Sequence, residues 1–292
     1  MRILAAHNVD DDVRLNSSSG GVFHALACWV LQHGGMVIGA AYGDTAYEVK
    51  HVVVDKMENL PQLQKSKYAP SSMADPMIAE TLTTAEEKWV LFSGTPCQVK
   101  AVRKRYGNLS KLLLVEVACH GVPTKEAYQT FLKENDIVKI DFRCKKNGWK
   151  KSEMEMTHSD GSVSYQRSVD NSFYQDFVSG KNLRESCFSC LAKYFRSGAD
   201  FTLADFWGVD SYVPALDDDN GTSLVFLHTK KSLKIWHEIS DMFLSQQVSF
   251  YEAVHWNPSI YRPIDSTLTI REVVEEKKYI VKQYLKRLKF SK

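Results

Sequence analysis

Three apolar runs, each passing through a short turn or loop into a new element, constrain this chain more than any other feature. The segments "MVIGAAY" (36–42), "KWVLFS" (88–93) and "KLLLVEVAC" (111–119) read as buried strands, because a strand covered on both faces has no polar alternation. Helical patterns lie between them. Val22, Phe23, Leu26, Val30 and Leu31 share one stripe of "GGVFHALACWVLQH" (20–33), and Gly34-Gly35 stops it. "QVKAVRKRYG" follows the second strand, and "HGVPTKEAYQTFLKEN" follows the third, with Pro123 and Thr124 marking its start. Strands alternating with helices imply an α/β fold with a mainly parallel sheet core and flanking helices.

The middle of the chain changes period. A loop and a helical stretch are expected around 57–87. "SEMEMTHSDGSVSYQRS" (152–168) alternates polar and apolar on both sides of Asp160-Gly161, which is the mark of an inserted β-hairpin. A strand at 224–229 and a helix at 230–245 follow. Residues 268–290 form a basic amphipathic C-terminal helix, with acids before bases. That helix is expected to pack on the body or on another subunit of a homo-oligomer.

Charge and length exclude several classes. A net charge of +2 argues against binding nucleic acid through bulk electrostatics. No apolar run approaches the ~18 residues of a transmembrane helix, and "MRILAAHNVDDDVRLN" makes a poor signal peptide. Six cysteines without an export signal point to reduced thiols or metal ligands in a cytoplasmic protein.

The cysteines carry the chemistry. Cys97, in "FSGTPCQVKAV", could be a nucleophile, a metal ligand or a small core residue. Cys97 and Cys119 follow the C-terminal ends of two expected strands, where an open α/β sheet binds its ligands. Cys187 and Cys190 form C-x-x-C, which suits a redox pair, half a zinc site or half an iron–sulfur site. Together they offer four thiolates at spacings of 22, 68 and 3 residues. Single cysteines from a sheet suit a redox centre better than a structural zinc built from two short knuckles. Cys28 reads as helix core, and Cys144 carries no assignment.

Other polar residues converge on the same crevice. Ser18, Ser19, Gly20 and Gly21 precede a helix and offer a phosphate cradle, or simply an N-cap. Lys67 and Tyr68 in "KSKYAPSS", His120 in "CHGVP", and Asp205 in "LADFWG" are candidate cofactor or catalytic groups. Gly94 and Thr95, in the turn before Cys97, are counted with the cofactor-binding residues.

Taken in order, "NSSSGGVF", "KSKYAPSS", "LFSGTPCQVKAVRK", "VACHGVP", "IDFRCKKNGWK", "RESCFSC" and "DFTLADFWG" resemble the coenzyme F420 hydrogenase/dehydrogenase beta-subunit family, in the bacterial, polysaccharide-biosynthesis-associated form. The resemblance implies FAD beside a 4Fe-4S cluster. Its cluster ligands map onto Cys97, Cys119, Cys187 and Cys190, and its flavin contacts onto the glycine-rich helix start and the Lys67–Tyr68 loop. Many bacterial relatives carry a ferredoxin-like segment before this domain, and here the chain begins almost at the core. A separate ferredoxin or another redox protein is therefore the expected partner, and deazaflavin use need not carry over. Ala204 stands where relatives have glycine, and Cys144 where they have an acid.

The expected organisation is a redox domain over 1–230 and a helical extension over 231–292 packed on it. The expected roles are FAD and 4Fe-4S electron transfer, with His120, Lys67 and Asp205 as catalytic groups. Two alternatives remain: a thiol enzyme with Cys97 as nucleophile and His120 as base, and a zinc-stapled interaction protein.

Overall fold

A computed structural model of the chain describes residues 1–264. In chain order its strands are β1 (Arg2–Asn8), β2 (Met36–Tyr42), β3 (Val49–Val54), β4 (Val90–Gly94), β5 (Leu112–Val117), β6 (Ile137–Cys144), β7 (Glu153–His158), β8 (Val163–Arg167), β9 (Phe201–Asp205), β10 (Ser223–Leu227) and β11 (Phe243–Gln247). The helices are α1 (Asp11–Leu15), α2 (Val22–Gln32), α3 (Pro76–Thr83), α4 (Pro96–Tyr106), α5 (Lys125–Glu134), α6 (Ser172–Ser179), α7 (Val209–Tyr212), α8 (Lys230–Ile239) and α9 (Phe250–His255).

Eight strands form one sheet in the order β11-β1-β10-β9-β5-β4-β2-β3. Its core is parallel, as the alternating pattern predicts: β2, β4, β5 and β9 run the same way. Both margins are antiparallel, with β3 on β2 and with β10, β1 and β11 beyond β9. The α/β class therefore holds, and the antiparallel margins are an addition to it. Strands β6, β7 and β8 form a separate antiparallel sheet, in which β7 and β8 are the expected hairpin and Gly161 turns at φ +83°.

Helices cover both faces of the parallel core, which is why its strands are apolar throughout. On one side Leu26, Val30, Ile235 and Trp236 from α2 and α8 pack on Val37, Leu91, Leu113 and Val225. On the other, Ile78, Leu82, Val99 and Val102 from α3 and α4 pack on Ile38, Phe92, Leu112 and Leu114. The small sheet buries Phe142 and Met154 with Tyr128, Phe131 and Phe173 from α5 and α6.

One expected element is corrected. The helix predicted over 230–245 ends at Ile239, and Phe243–Gln247 is the edge strand β11. Trp236 stacks on Phe243 with centroids 5.1 Å apart, so an apolar contact that suggests helix continuation is made across a turn instead. Residues 231–264 share the core and the sheet of the preceding chain. The amphipathic helix expected over 268–290 lies outside the described residues.

Candidate functional site

A cleft of about 400 Å³ opens over the C-terminal ends of the parallel strands. Gly39, Gly94, Ala118 and Asp205 bring β2, β4, β5 and β9 to it. That position is where open α/β sheets bind ligands, and the volume is that of a small-molecule site.

The serine–glycine segment builds one wall. Ser18 Oγ accepts from Ser66 Oγ at 2.9 Å, and its carbonyl accepts from Trp149 Nε1 at 3.1 Å. Ser19 Oγ donates to the Thr222 carbonyl at 2.9 Å. Both serines line the cleft, as does Gly21. Gly20 lies behind them, where a Cβ would stand 2.4 Å from the Ala6 carbonyl oxygen, so the chain passes there only as glycine. Gly21 caps α2 at φ +82°. The first-turn amides of α2 have no intrahelical acceptors, and they add to the positive end of its dipole.

Lys145 secures this wall from below. Its ammonium donates to the carbonyls of Arg14 (2.6 Å), Ser19 (2.8 Å) and Asn220 (2.8 Å). Burial lowers its pKa to about 7. Sequence reasoning gave it no role, because consecutive lysines before Asn-Gly read as an exposed turn.

Lys67 and Tyr68 also line the cleft, next to Ser66, which bonds to Ser18. Lys67 Nζ donates to the Gln64 carbonyl at 2.7 Å, and burial lowers its pKa to about 8. The Tyr68 ring stacks on Phe177 with centroids 5.1 Å apart, and burial pushes its hydroxyl up to about 12. His120 also lines the cleft. Its Nε2 pairs with the Val178 carbonyl at 3.0 Å, and burial lowers its pKa.

Asp205 reaches the cleft already engaged. Both its oxygens accept from Arg143, at 2.5 and 3.2 Å. The expected catalytic carboxylate is thus ion-paired with Arg143. Arg143 is the partner that sequence reasoning missed; its signal was a lone arginine in the otherwise strand-like "IDFRC".

Gly94 and Thr95 stand where β4 turns into α4, and the Thr95 amide donates to Gln98 Oε1 at 3.0 Å in a capping arrangement. Cys97, in the first turn of α4, is exposed and pairs with Thr95 Oγ1 at 3.1 Å. Cys119 lines the cleft two residues beyond β5. Burial pushes its thiol up to about 12, and Cys97, Cys187 and Cys190 act on it in the same direction. The C-x-x-C loop reaches this place through the segment after Cys119. The Arg184 amide donates to the Val122 carbonyl at 2.9 Å, and the Val122 amide donates to Cys187 Sγ at 3.4 Å. Of the four cysteines Cys119 lines the cleft, and the Val122 amide ties Cys187 to the segment that follows it. Cys28 is apart, buried in α2 with Sγ 3.2 Å from His24 Nε2. Cys144 is buried at the end of β6.

Cys97 Sγ is paired with Thr95 Oγ1, and His120 Nε2 with the Val178 carbonyl. Among the described residues no group of three or more cysteine, histidine or acidic side chains is arranged to hold a single metal ion, and no helix is long and apolar enough to cross a membrane.

A family model for the C terminus of the coenzyme F420 hydrogenase/dehydrogenase beta subunit matches residues 87–247. No curated protein matches the chain. Among solved structures, a chain of the F420-reducing NiFe hydrogenase complex from Methanosarcina barkeri, in a xenon-derivatization study, is similar at 19% identity with a TM-score of 0.59. That similarity covers 99% of this chain and 91% of the other, and it speaks to the fold alone.

Proposed function

The chain belongs to the coenzyme F420 hydrogenase/dehydrogenase beta-subunit family, and we propose that it is an oxidoreductase with FAD in the cleft and a 4Fe-4S cluster on Cys97, Cys119, Cys187 and Cys190. Its electrons pass to or from a ferredoxin-like or deazaflavin partner, in a cytoplasmic role tied to polysaccharide biosynthesis. One observation carries the reading: Cys119 lines the cleft, and the segment that follows it holds Cys187 of the C-x-x-C loop through the Val122 amide, 3.4 Å from Cys187 Sγ. A flavin site and a cluster site would share Cys119.

The donor set fits a cluster. Four thiols and no other metal-ligand type match the requirement of a four-iron cube. In such a cube each sulfur holds a different iron, so the ligands stand wider apart than around one zinc, where each bond is ~2.3 Å.

The cleft fits a flavin nucleotide. Free amides at the start of α2, beside Ser18, suit a pyrophosphate, and Gly20, packed against the Ala6 and Ser223 backbone, holds that turn in place. Lys67 brings a cation, and Tyr68 with Phe177 an aromatic wall. His120, with its pKa lowered by burial, is neutral at pH 7 and can exchange a proton with a bound ring system. Flavin supplies two-electron chemistry and the cluster one-electron transfer.

A serine series tests the assignment in anaerobically reconstituted protein. Cys119→Ser and Cys187→Ser should lose the visible absorbance of the cluster, while Cys28→Ser keeps it. Equal absorbance in all three would remove the ligand assignment.

A further inference from the structure

We propose that the exposed face of α4, with the segment 191–198 beside it, is the docking surface of an acidic one-electron carrier protein; this inference rests on the cluster reading above. Two hydrogen bonds lay that segment along the helix. Lys100 Nζ donates to the Leu191 carbonyl at 2.8 Å, and Arg103 Nε donates to the Gly198 carbonyl at 2.7 Å. The first bond ties the helix that opens with Cys97 to the residue directly after Cys190. Cys97 is itself exposed, so a proposed ligand meets solvent on this side.

The chemistry of this surface selects the partner. Pro96–Tyr106 carries Lys100, Arg103, Lys104 and Arg105 and no acidic residue, although the whole chain has a net charge of only +2. Cys97, Lys100 and Lys104 follow one another at helical spacing and share a face. Arg103 faces Asp200 at 3.6 Å. Lys104, Arg105 and Arg196 are exposed, and among the described residues no carboxylate pairs with them. Leu191 stands beside these cations and is 75% exposed. An apolar contact within a charged rim is the anatomy of a protein interface, whereas a small anion would leave Leu191 in water. A second copy docked on the same face would set like charges against each other. The carrier loses one electron as the centre gains one, with no bond made or broken and no proton moved. Such a reaction needs close approach, which opposite charge promotes.

The experiment follows electron transfer from a reduced, acidic plant-type ferredoxin to the anaerobically reconstituted full chain by stopped flow, at low and at high salt. The wild type is compared with Lys104→Glu and Arg196→Glu combined, with Leu191→Ser, and with Lys234→Glu. Lys234 is an exposed cation on α8, which packs on the opposite face of the large sheet from α4. Iron content, thermal midpoint and full reduction by dithionite are checked on the same samples. High salt should slow the wild type on the order of tenfold, and the double reversal should slow transfer at low salt by a similar factor and flatten its salt dependence. Leu191→Ser should slow transfer at both salt concentrations, and Lys234→Glu should stay within about twofold of the wild type. A wild-type rate indifferent to salt, or equal rates in the iron-loaded wild type and double reversal, would overturn the proposal. Loss of binding to phosphatidylserine vesicles in that variant would then assign the face to an anionic membrane. A wild type that takes up no iron would remove the cluster reading. Ferredoxin binding by that same sample, weakened in the double reversal, would keep the docking surface, and no binding would remove it as well.

Discussion

Arg143 and Asp205 join the two sheets of the protein through paired hydrogen bonds, Nη1 to Oδ2 at 2.5 Å and Nη2 to Oδ1 at 3.2 Å. Arg143 belongs to β6 of the small sheet, and Asp205 ends β9 of the large one. The guanidinium side chain is only 3% exposed. It lies over Trp207, 5.0 Å from the ring centroid, and Trp207 stacks on Trp149 at 4.7 Å. Planar, two-pronged recognition of this kind is specific to arginine.

Asp205→Asn should therefore leave a buried guanidinium short of its counter-charge and cost about 3–5 kcal/mol of stability. Urea denaturation measures it. A loss below ~1 kcal/mol, the range of exposed pairs, would show that the pair is solvated and does not hold the sheets together.

Gly20→Ala should be more damaging than Gly34→Ala. At Gly20 the added carbon meets backbone on two sides, the Ala6 oxygen at 2.4 Å and the Ser223 nitrogen at 2.9 Å. At Gly34 it meets open space and only the left-handed φ of +69° resists it. Expected costs are about 3 kcal/mol for the first, from overpacking, and about 1 kcal/mol for the second, from the backbone. Gly20→Ala should also weaken FAD binding, read by quenching of flavin fluorescence, whereas Gly34→Ala should not.

Lys67 predicts a pH dependence. Its pKa in the folded protein is lowered to about 8 from 10.5, so between those values the unfolded chain holds a proton that the folded one has released. Stability contributed at this residue should then rise with pH across about 8 to 10.5. The same loss of charge should weaken binding of anionic FAD as pH rises through about 8. Lys67→Met should flatten both curves, which paired denaturation and flavin titrations at pH 7, 8 and 9 would measure. A Lys67→Met curve parallel to the wild type would assign the dependence to another group.

Much of this was legible in the chain because burial on both faces leaves an apolar run. β2, β4, β5 and the helices α2, α4 and α5 follow the expected order with ends moved by one or two residues. β1, β3, β6 and β9 were not foreseen. "VKHVVV" and "FTLAD" are short, and the second is set in a segment dominated by cysteines and aromatics. The antiparallel margins follow from long-range pairing that local pattern does not encode.

Side-chain placement divides in the same way. Cys97 and Cys119 were placed by their position after strand ends, a local signal. The commitment of Asp205 to Arg143 depends on a partner 62 residues away. Lys193, three residues past a C-x-x-C, reads as an ordinary surface cation, and only the turn at Tyr194 and Phe195 carries it inward.

Whether the cleft and the four cysteines hold FAD and a cluster is decided by a joint count of iron, acid-labile sulfide and flavin in one anaerobically prepared sample. Four irons, four sulfides and one FAD are expected for each chain, with iron and sulfide lost together in Cys119→Ser. Flavin without iron after reconstitution, or one zinc for each chain in place of iron, would contradict the assignment.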